Sequence, residues 1–410
     1  MTDTLKPRDA RDVEQAVQWA LREGAALEIV GHGSKRLLGR PLTTDVRLDL
    51  SALAGVTLYE PEELVLSARA GTALAEIETL LALKSQQLAF EPIDCGPLLG
   101  GPGGAATIGG TIAANLSGPR RIKAGSARDH VLGIHAVSGR GETFKSGGRV
   151  VKNVTGYDLA KLMTGSWGTL AAVTEVTLKT LPSPETEATV AIFGLDDATA
   201  SRAMAAAMAS ACDVSGAAHV PAATVARFPI GAAVAATRAL TVLRLEGVEP
   251  SVVHRQEELL EVLRPFGKVA PIDDIASRRL WTAIRDVAPF AAEGVAGGAP
   301  LWRISTAPSR GPALVARILA ATAAEVLYDW AGGLVWVAVL GRADAAIRPV
   351  RAAVAALGGS AMLFRATAEL RAAADVFEPQ DASLAALTRR VKEGFDPRGV
   401  LNPGRMWVQV

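Results

Sequence analysis

Over its first 180 residues the chain mixes helical and strand periods of apolar positions. Residues 9–23 place Val13, Ala16, Val17, Ala20 and Leu21 on one face, which predicts an amphipathic helix. A short strand is predicted at 27–30 and leads directly into Gly31-His32-Gly33-Ser34. Further strands are predicted at 45–50, 63–68, 88–90, 131–138 and 170–180, with helices at 72–83 and 158–163. The stretch 91–104 is rich in Gly and Pro and reads as loop. Leu181-Pro182-Ser183-Pro184 then blocks helix and central strand alike and predicts a domain boundary.

A different rhythm follows. Segments 188–195, 196–210, 216–220, 239–247, 250–266 and 268–273 read strand, helix, strand, strand, helix, strand. After a linking helix at 274–287, the same order returns at 300–307, 309–321, 324–329, 334–340, 343–358 and 360–366. Two βαββαβ units in series predict two ferredoxin-like halves sharing one antiparallel sheet. The expected organisation is α+β, divided into 1–182, a repeated unit at 183–370, and a closing segment at 371–410.

Composition narrows the function classes. With 410 residues, 49% hydrophobic and 21% charged, and a formal net charge of +1, the chain lacks the basic excess of a nucleic-acid binder. Its mean hydropathy of +0.24 comes largely from alanine-rich helices. No run reaches the roughly 18 apolar residues of a transmembrane span. The opening MTDTLKPRDARDVEQ lacks the apolar core of a secretory signal, which makes the cytoplasm the expected compartment. Two distant cysteines, Cys95 and Cys212, argue against a disulfide framework or an iron–sulfur site of the chain's own.

The candidate chemistry lies in glycine-rich loops, because only glycine lets a main chain approach a pyrophosphate closely. Gly31-His32-Gly33-Ser34 suggests a dinucleotide fingerprint, with Asp49 about twenty residues on. That pattern fails, since Arg36 replaces the third glycine and Gly39 and Pro41 interrupt the helix it needs. A second loop holds Thr107-Ile108-Gly109-Gly110-Thr111 and continues through Asn115, Ser117 and Gly118 to Arg128-Asp129. A third segment, 150–179, contains Gly-Tyr-Asp and then Gly165-Ser166-Trp167-Gly168 before a β-branched strand holding Val173. Near the end stand Phe395-Asp396-Pro397 and Asn402-Pro403-Gly404.

In this order the motifs resemble the PCMH-type FAD-binding fold shared by vanillyl-alcohol oxidase, D-lactate dehydrogenases and the flavin subunits of glycolate oxidase. The resemblance covers about 1–180 and 375–410 and implies an FAD-binding domain of two α/β subdomains beneath an antiparallel cap. It implies that the first loop, Gly31 to Ser34, joins the cofactor site, and that Gly109, Gly110 and Thr111 meet phosphate. Asn115, Ser117 and Gly118 lie toward the isoalloxazine ring, and Arg128-Asp129 match a family turn. Gly165, Gly168 and the backbone near Val173 hold adenine and pyrophosphate, and Asn402 approaches the flavin pyrimidine. Trp167 stands where many relatives have Glu, and Ala171 where most have Gly. His32 and Cys95 are misplaced for covalent attachment, so noncovalent FAD is expected.

The metal-binding His segment of the catalytic D-2-hydroxy-acid dehydrogenases is missing. Of the two cap histidines, His219 and His254, neither has a second ligand at metal spacing, so no metal is expected. Arg244 and Arg303 are predicted on neighbouring cap strands, where alternation aims both at the flavin as a carboxylate clamp, with salt-bridged strand positions as the alternative. Trp302, Trp330 and Trp336 read as sheet core. An FAD machinery without that active site resembles the smaller FAD-binding subunits of bacterial glycolate oxidases. The resemblance implies a larger catalytic flavin subunit, an iron–sulfur subunit, a small 2-hydroxy acid substrate, and peripheral membrane association through the partners. A self-sufficient D-2-hydroxy-acid dehydrogenase and a non-catalytic structural subunit remain open.

Overall fold

The computed structural model describes residues 3–149, 156–228, 238–293 and 298–410. The helix Ala10–Glu23 forms where Asp9 caps its start, accepting from the Asp12 N–H, and ends at Gly24, whose φ of 68° suits a residue without a Cβ. Its buried face is Val13, Ala16, Val17 and Ala20, while Leu21 is only half-buried. That face packs on β2 (Leu27–Val30) and β3 (Val46–Asp49) and on Val400 and Leu401 from the far end of the chain. β1 (Asp3–Leu5) completes a parallel sheet of order β1-β3-β2.

β4 (Val56–Glu60), β5 (Val65–Arg69), β6 (Gln86–Gln87), β7 (Val131–Ser138), β8 (Thr143–Gly147), β9 (Ala171–Lys179) and β10 (Leu181–Pro182) follow. Five of them make an antiparallel sheet of order β4-β5-β9-β7-β8. The predicted strand at 88–90 is a turn instead. Glu91 takes a left-handed φ of 50°, and its N–H donates to the Leu88 carbonyl at 3.0 Å, which removes the backbone from any ladder. The ladder lies just before it, where β6 pairs with β10. Pro182 is tolerated there because this two-stranded sheet leaves its nitrogen on an edge.

The cap strands are β11 (Thr186–Phe193), β12 (Gly216–Val220), β13 (Leu240–Gly247), β14 (Val269–Ile272), β15 (Leu301–Ser305), β16 (Ala324–Asp329), β17 (Leu334–Val339) and β18 (Ser360–Arg365). They form one eight-stranded sheet of order β14-β11-β13-β12-β16-β17-β15-β18, with antiparallel pairing throughout. Each half has the fourth strand outermost and the second at the junction, the ferredoxin-like order. The halves meet where His219 of β12 faces Tyr328 of β16. β13 and β15 are not the neighbours that the sequence suggested. The halves join through their second strands, so β12, β16 and β17 stand between them.

One core runs from Ile93, Cys95, Leu98 and Leu116 through to Trp336 and Phe364 of the cap. The closing segment returns as the helix Ala382–Phe395. Its Lys392 is buried, donating to Asp396 Oδ2 at 2.7 Å and to the carbonyls of Thr169 at 2.6 Å and Leu401 at 3.0 Å. Asp396 in turn accepts the N–H groups of Val400 and Leu401. The Phe395-Asp396-Pro397 motif is thus a backbone clasp.

Candidate functional site

β2, the helix Ile108–Ala114 and the turn at 166–168 converge on two adjoining clefts of about 550 and 510 Å³. Gly31, His32, Gly33 and Ser34 line the first. Gly109, Gly168 and Val173 line the second, and Thr107, Gly110 and Asn402 line both. Trp167 and Ala171, the two departures from the family pattern, also border the second cleft. Trp167 has its ring edge-on to Phe377, with centroids 5.3 Å apart.

Backbone contacts bring these walls together. A Cβ on Gly31 would fall 2.6 Å from Thr107 Oγ1, and one on Gly109 would fall 2.6 Å from the Ala70 Cβ, so both loops seat only as glycine. A Cβ on Gly110 would meet only Thr107 Oγ1, at 3.2 Å, and otherwise faces the opening. Thr107 caps the Ile108–Ala114 helix, its hydroxyl accepting from the Gly110 N–H. Asn402 spans the seam. Its Oδ1 accepts the Ile29 N–H at 2.8 Å, and its Nδ2 donates to the Trp167 carbonyl at 2.8 Å.

Other expected residues stand back from the opening. Ile108 is buried in the core, and Thr111 is buried with its hydroxyl 3.4 Å from Lys35 Nζ. Asn115 ends the helix at φ 49° and accepts the Arg128 N–H, while the Gly165 N–H donates to the Ile112 carbonyl. Ser117 accepts the Ala127 N–H, and the Gly118 carbonyl accepts Trp330 Nε1 at the cap. Arg128 is exposed, and Asp129 caps its own short helix through Ser126. Residues 150–155 of the third motif lie outside the described residues.

Sequence reasoning missed Glu28, Lys35, Arg36 and Arg405, all of which line the first cleft. Burial would raise the Glu28 carboxyl, but a bidentate Arg36 at 2.8 Å and a nearby Arg47 hold it below the usual range. Arg405, drawn down to about 10 by burial, donates to the carbonyls of Lys35 and Arg36 and fixes that loop. Its position just after Asn402-Pro403-Gly404 was the available signal.

A pyrophosphate-bearing cofactor fits this donor set. The opening is walled by glycine backbone, Gly110 leaves it clear, and Lys35 adds positive charge at the rim.

The cap arginines have different partners. Arg244 donates to both Glu91 oxygens at 2.8 and 2.9 Å and lies 3.5 Å from Glu246, which Arg120 also holds at 2.7 Å. Against the burial that would raise it, Arg244 and Arg120 keep the Glu246 carboxyl at about 2. Both terminal nitrogens of Arg244 are therefore engaged by a protein carboxylate, while its Nε makes no hydrogen bond. Among the described residues Arg303 has no such carboxylate partner. His219 contacts Thr241 and Asp197, and His254 is exposed beside Glu258. Among the described residues no group of three or more His, Cys, Asp and Glu is placed to hold a metal. Nor is any of their helices long and apolar enough to cross a membrane.

Residues 4–147 match the family model for the FAD binding domain, and 370–406 match that for FAD linked oxidases, C-terminal domain. Glycolate oxidase subunit GlcE of Escherichia coli is 33% identical over 398 residues, 97% of each chain. Glycolate oxidase subunit GlcD of Bacillus subtilis is 35% identical over 144 residues, covering 35% of this chain and 29% of that relative. Among solved structures, p-cresol methylhydroxylase shares the fold, with a TM-score of 0.72 at 14% identity over 99% of this chain and 88% of its own. Matched end to end with that first relative, the chain belongs to the glycolate oxidase subunit GlcE family, a flavin-dependent oxidoreductase with FAD as its cofactor.

Proposed function

We propose that the chain is the FAD-binding subunit of a glycolate oxidase-type complex that converts glycolate or a related 2-hydroxy acid to the 2-oxo acid. The observation that carries this reading is the glycine-walled cleft, held shut by Asn402, in a chain similar throughout its length to GlcE. When bound, FAD supplies a two-electron acceptor for the CH–OH group. The chain's own residues seat it. Gly31 and Gly109 let the two loops close on Thr107 and Ala70, Gly110 leaves the opening clear for the pyrophosphate, Lys35 balances its charge, and Asn402 keeps the two walls in register. Residues 1–182 with 371–410 form this seat, and 183–370 cover it. His32 stands between the two glycines of the first loop and Cys95 is buried in the core, which supports FAD held noncovalently.

His219 and His254 are placed in a hydrogen-bonded cluster and at the surface respectively, so we assign the proton-abstracting base to a larger flavin-containing subunit. Electrons then leave through an iron–sulfur subunit. The complex sits in the cytoplasm, attached to the membrane by those partners. The test is turnover with an artificial electron acceptor. The isolated chain carries FAD and oxidises no glycolate, and activity appears on adding the two partner subunits. Turnover by the isolated chain at an ordinary rate of about 10 per second would instead establish a self-sufficient dehydrogenase.

A further inference from the structure

Among the described residues Arg303 is a cation without an ion pair. Its side chain is half-buried, and its Nε is enclosed with no hydrogen-bond acceptor. Its cross-strand neighbours are Trp336 and Met362, neither of which carries charge. The guanidinium lies 5.1 Å from the centre of the Trp330 ring and 5.9 Å from that of Trp336. A second guanidinium, that of Arg121, stands 4.2 Å over the same Trp330 ring. Among the described residues no carboxylate pairs with either arginine. Burial and the charge of Arg121 pull the Arg303 guanidinium down to about 10. Asp329, whose charge reaches Arg303, accepts the Trp330 N–H, and burial pushes its carboxyl up to about 7. It is thus an incomplete counter-charge.

An indole face attracts cations but offers their N–H groups no acceptor. Two like charges over one ring repel, and a buried charge without a counterion is costly. Arg244 on the same sheet shows the contrast: its Nε also lacks a hydrogen-bond acceptor, but a bidentate Glu91 closes its two terminal nitrogens. The Trp330 ring is fixed from outside the pair, its Nε1–H donating to the Gly118 carbonyl at 3.0 Å. The ring also borders an apolar groove between the helices Asp197–Ala209 and Gly311–Leu319, which opens to solvent.

We propose that Arg303 and Arg121, positioned by the Trp330 ring, form a binding site for a small carboxylate, the 2-hydroxy acid or its 2-oxo product. The guanidinium fork matches a planar carboxylate in two parallel hydrogen bonds, and the second guanidinium at the same ring adds to the positive field. The choice of a carboxylate over other anions rests on the hydroxy-acid oxidation proposed above.

The test is calorimetric titration of the full-length, FAD-loaded chain with oxalate, an unreactive two-carbon acid, against inorganic phosphate at equal ionic strength. Oxalate is expected to bind the wild-type chain. Arg303→Gln and Arg121→Gln should each weaken it about 10- to 100-fold, as loss of a charged hydrogen-bond partner does, and Arg303→Lys should recover part of the loss. Flavin absorbance should stay unchanged in every variant. Arg121 is exposed, so Arg121→Gln stays informative if Arg303→Gln fails to fold. Absent oxalate binding, wild-type affinity in a folded variant, or phosphate binding as tight as oxalate would each overturn the site. Glycolate turnover by the assembled complex reads the broader function separately, and survives an overturned site.

Discussion

The glycine-walled cleft and the junction between cleft and cap are both built from residues far apart in sequence, but they are held by different forces. The cleft is sewn with backbone groups: Asn402 to Ile29 and Trp167, Gly109 to Ala70, Gly165 to Ile112. The junction is held by charge, with Glu91, Arg244, Glu246 and Arg120 closing on one another in a buried ring. Backbone seams tolerate only certain residue types at certain positions. A buried charge ring needs every partner in place and is sensitive to pH as well.

The sharpest way to break the contrast is Gly110→Trp. The indole would fill the opening that Gly110 leaves clear, so FAD binding should be abolished, with the flavin absorbance lost and the far-UV circular dichroism kept. Full flavin occupancy in that variant would show that the cofactor sits elsewhere. Lys392→Met comes next. It leaves Asp396 buried without its cation, and stability should fall by about 3 to 5 kcal/mol in denaturant unfolding.

Asn402→Leu removes both stitches of the seam and leaves the Ile29 N–H and the Trp167 carbonyl unmet. A loss of about 2 to 6 kcal/mol, at about 1 to 3 for each of the two unmet groups, should accompany weaker FAD affinity measured by equilibrium dialysis. The junction should respond to acid. Glu246 titrates at about 2 in the folded chain against 4.5 for an ordinary Glu. Because the folded value is depressed, its stabilisation is complete above pH 4.5 and is lost as pH falls toward 2. Melting temperatures recorded between pH 6 and 2 should drop over that window, and Glu246→Gln should flatten the drop. The smallest effect is expected at His254, exposed on its helix. His254→Ala should leave stability within about 0.5 kcal/mol and FAD binding unchanged.

The same contrast explains what could be read from the sequence. Glycine requirements are local, so the loops at 31–34 and 107–111 announce themselves by residue type. The two βαββαβ halves are also legible, because each strand and helix carries its own period. Strand order is not local. Arg244 and Arg303 look adjacent by alternation, yet three strands divide them because the halves join through β12 and β16. The helix Ala382–Phe395 carries an apolar stripe that misleads in part, since Leu384 and Leu387 are exposed, Val391 and Phe395 pack on the core only partly buried, and its fully buried side chain is Lys392. Lys35, Arg36 and Arg405 escaped notice because a charged residue beside a glycine loop has the same sequence signature as a surface one.

The Asn402 stitch has a consequence for biosynthesis. It joins residues 373 positions apart. At about 5 to 20 residues per second, the ribosome needs roughly 20 to 75 s to travel from Ile29 to Asn402. Throughout that interval the first glycine loop lacks the side chain that closes its seam. Closure of the seam therefore waits on the synthesis of residue 402, and a nascent chain stalled before it should emerge with that seam still open.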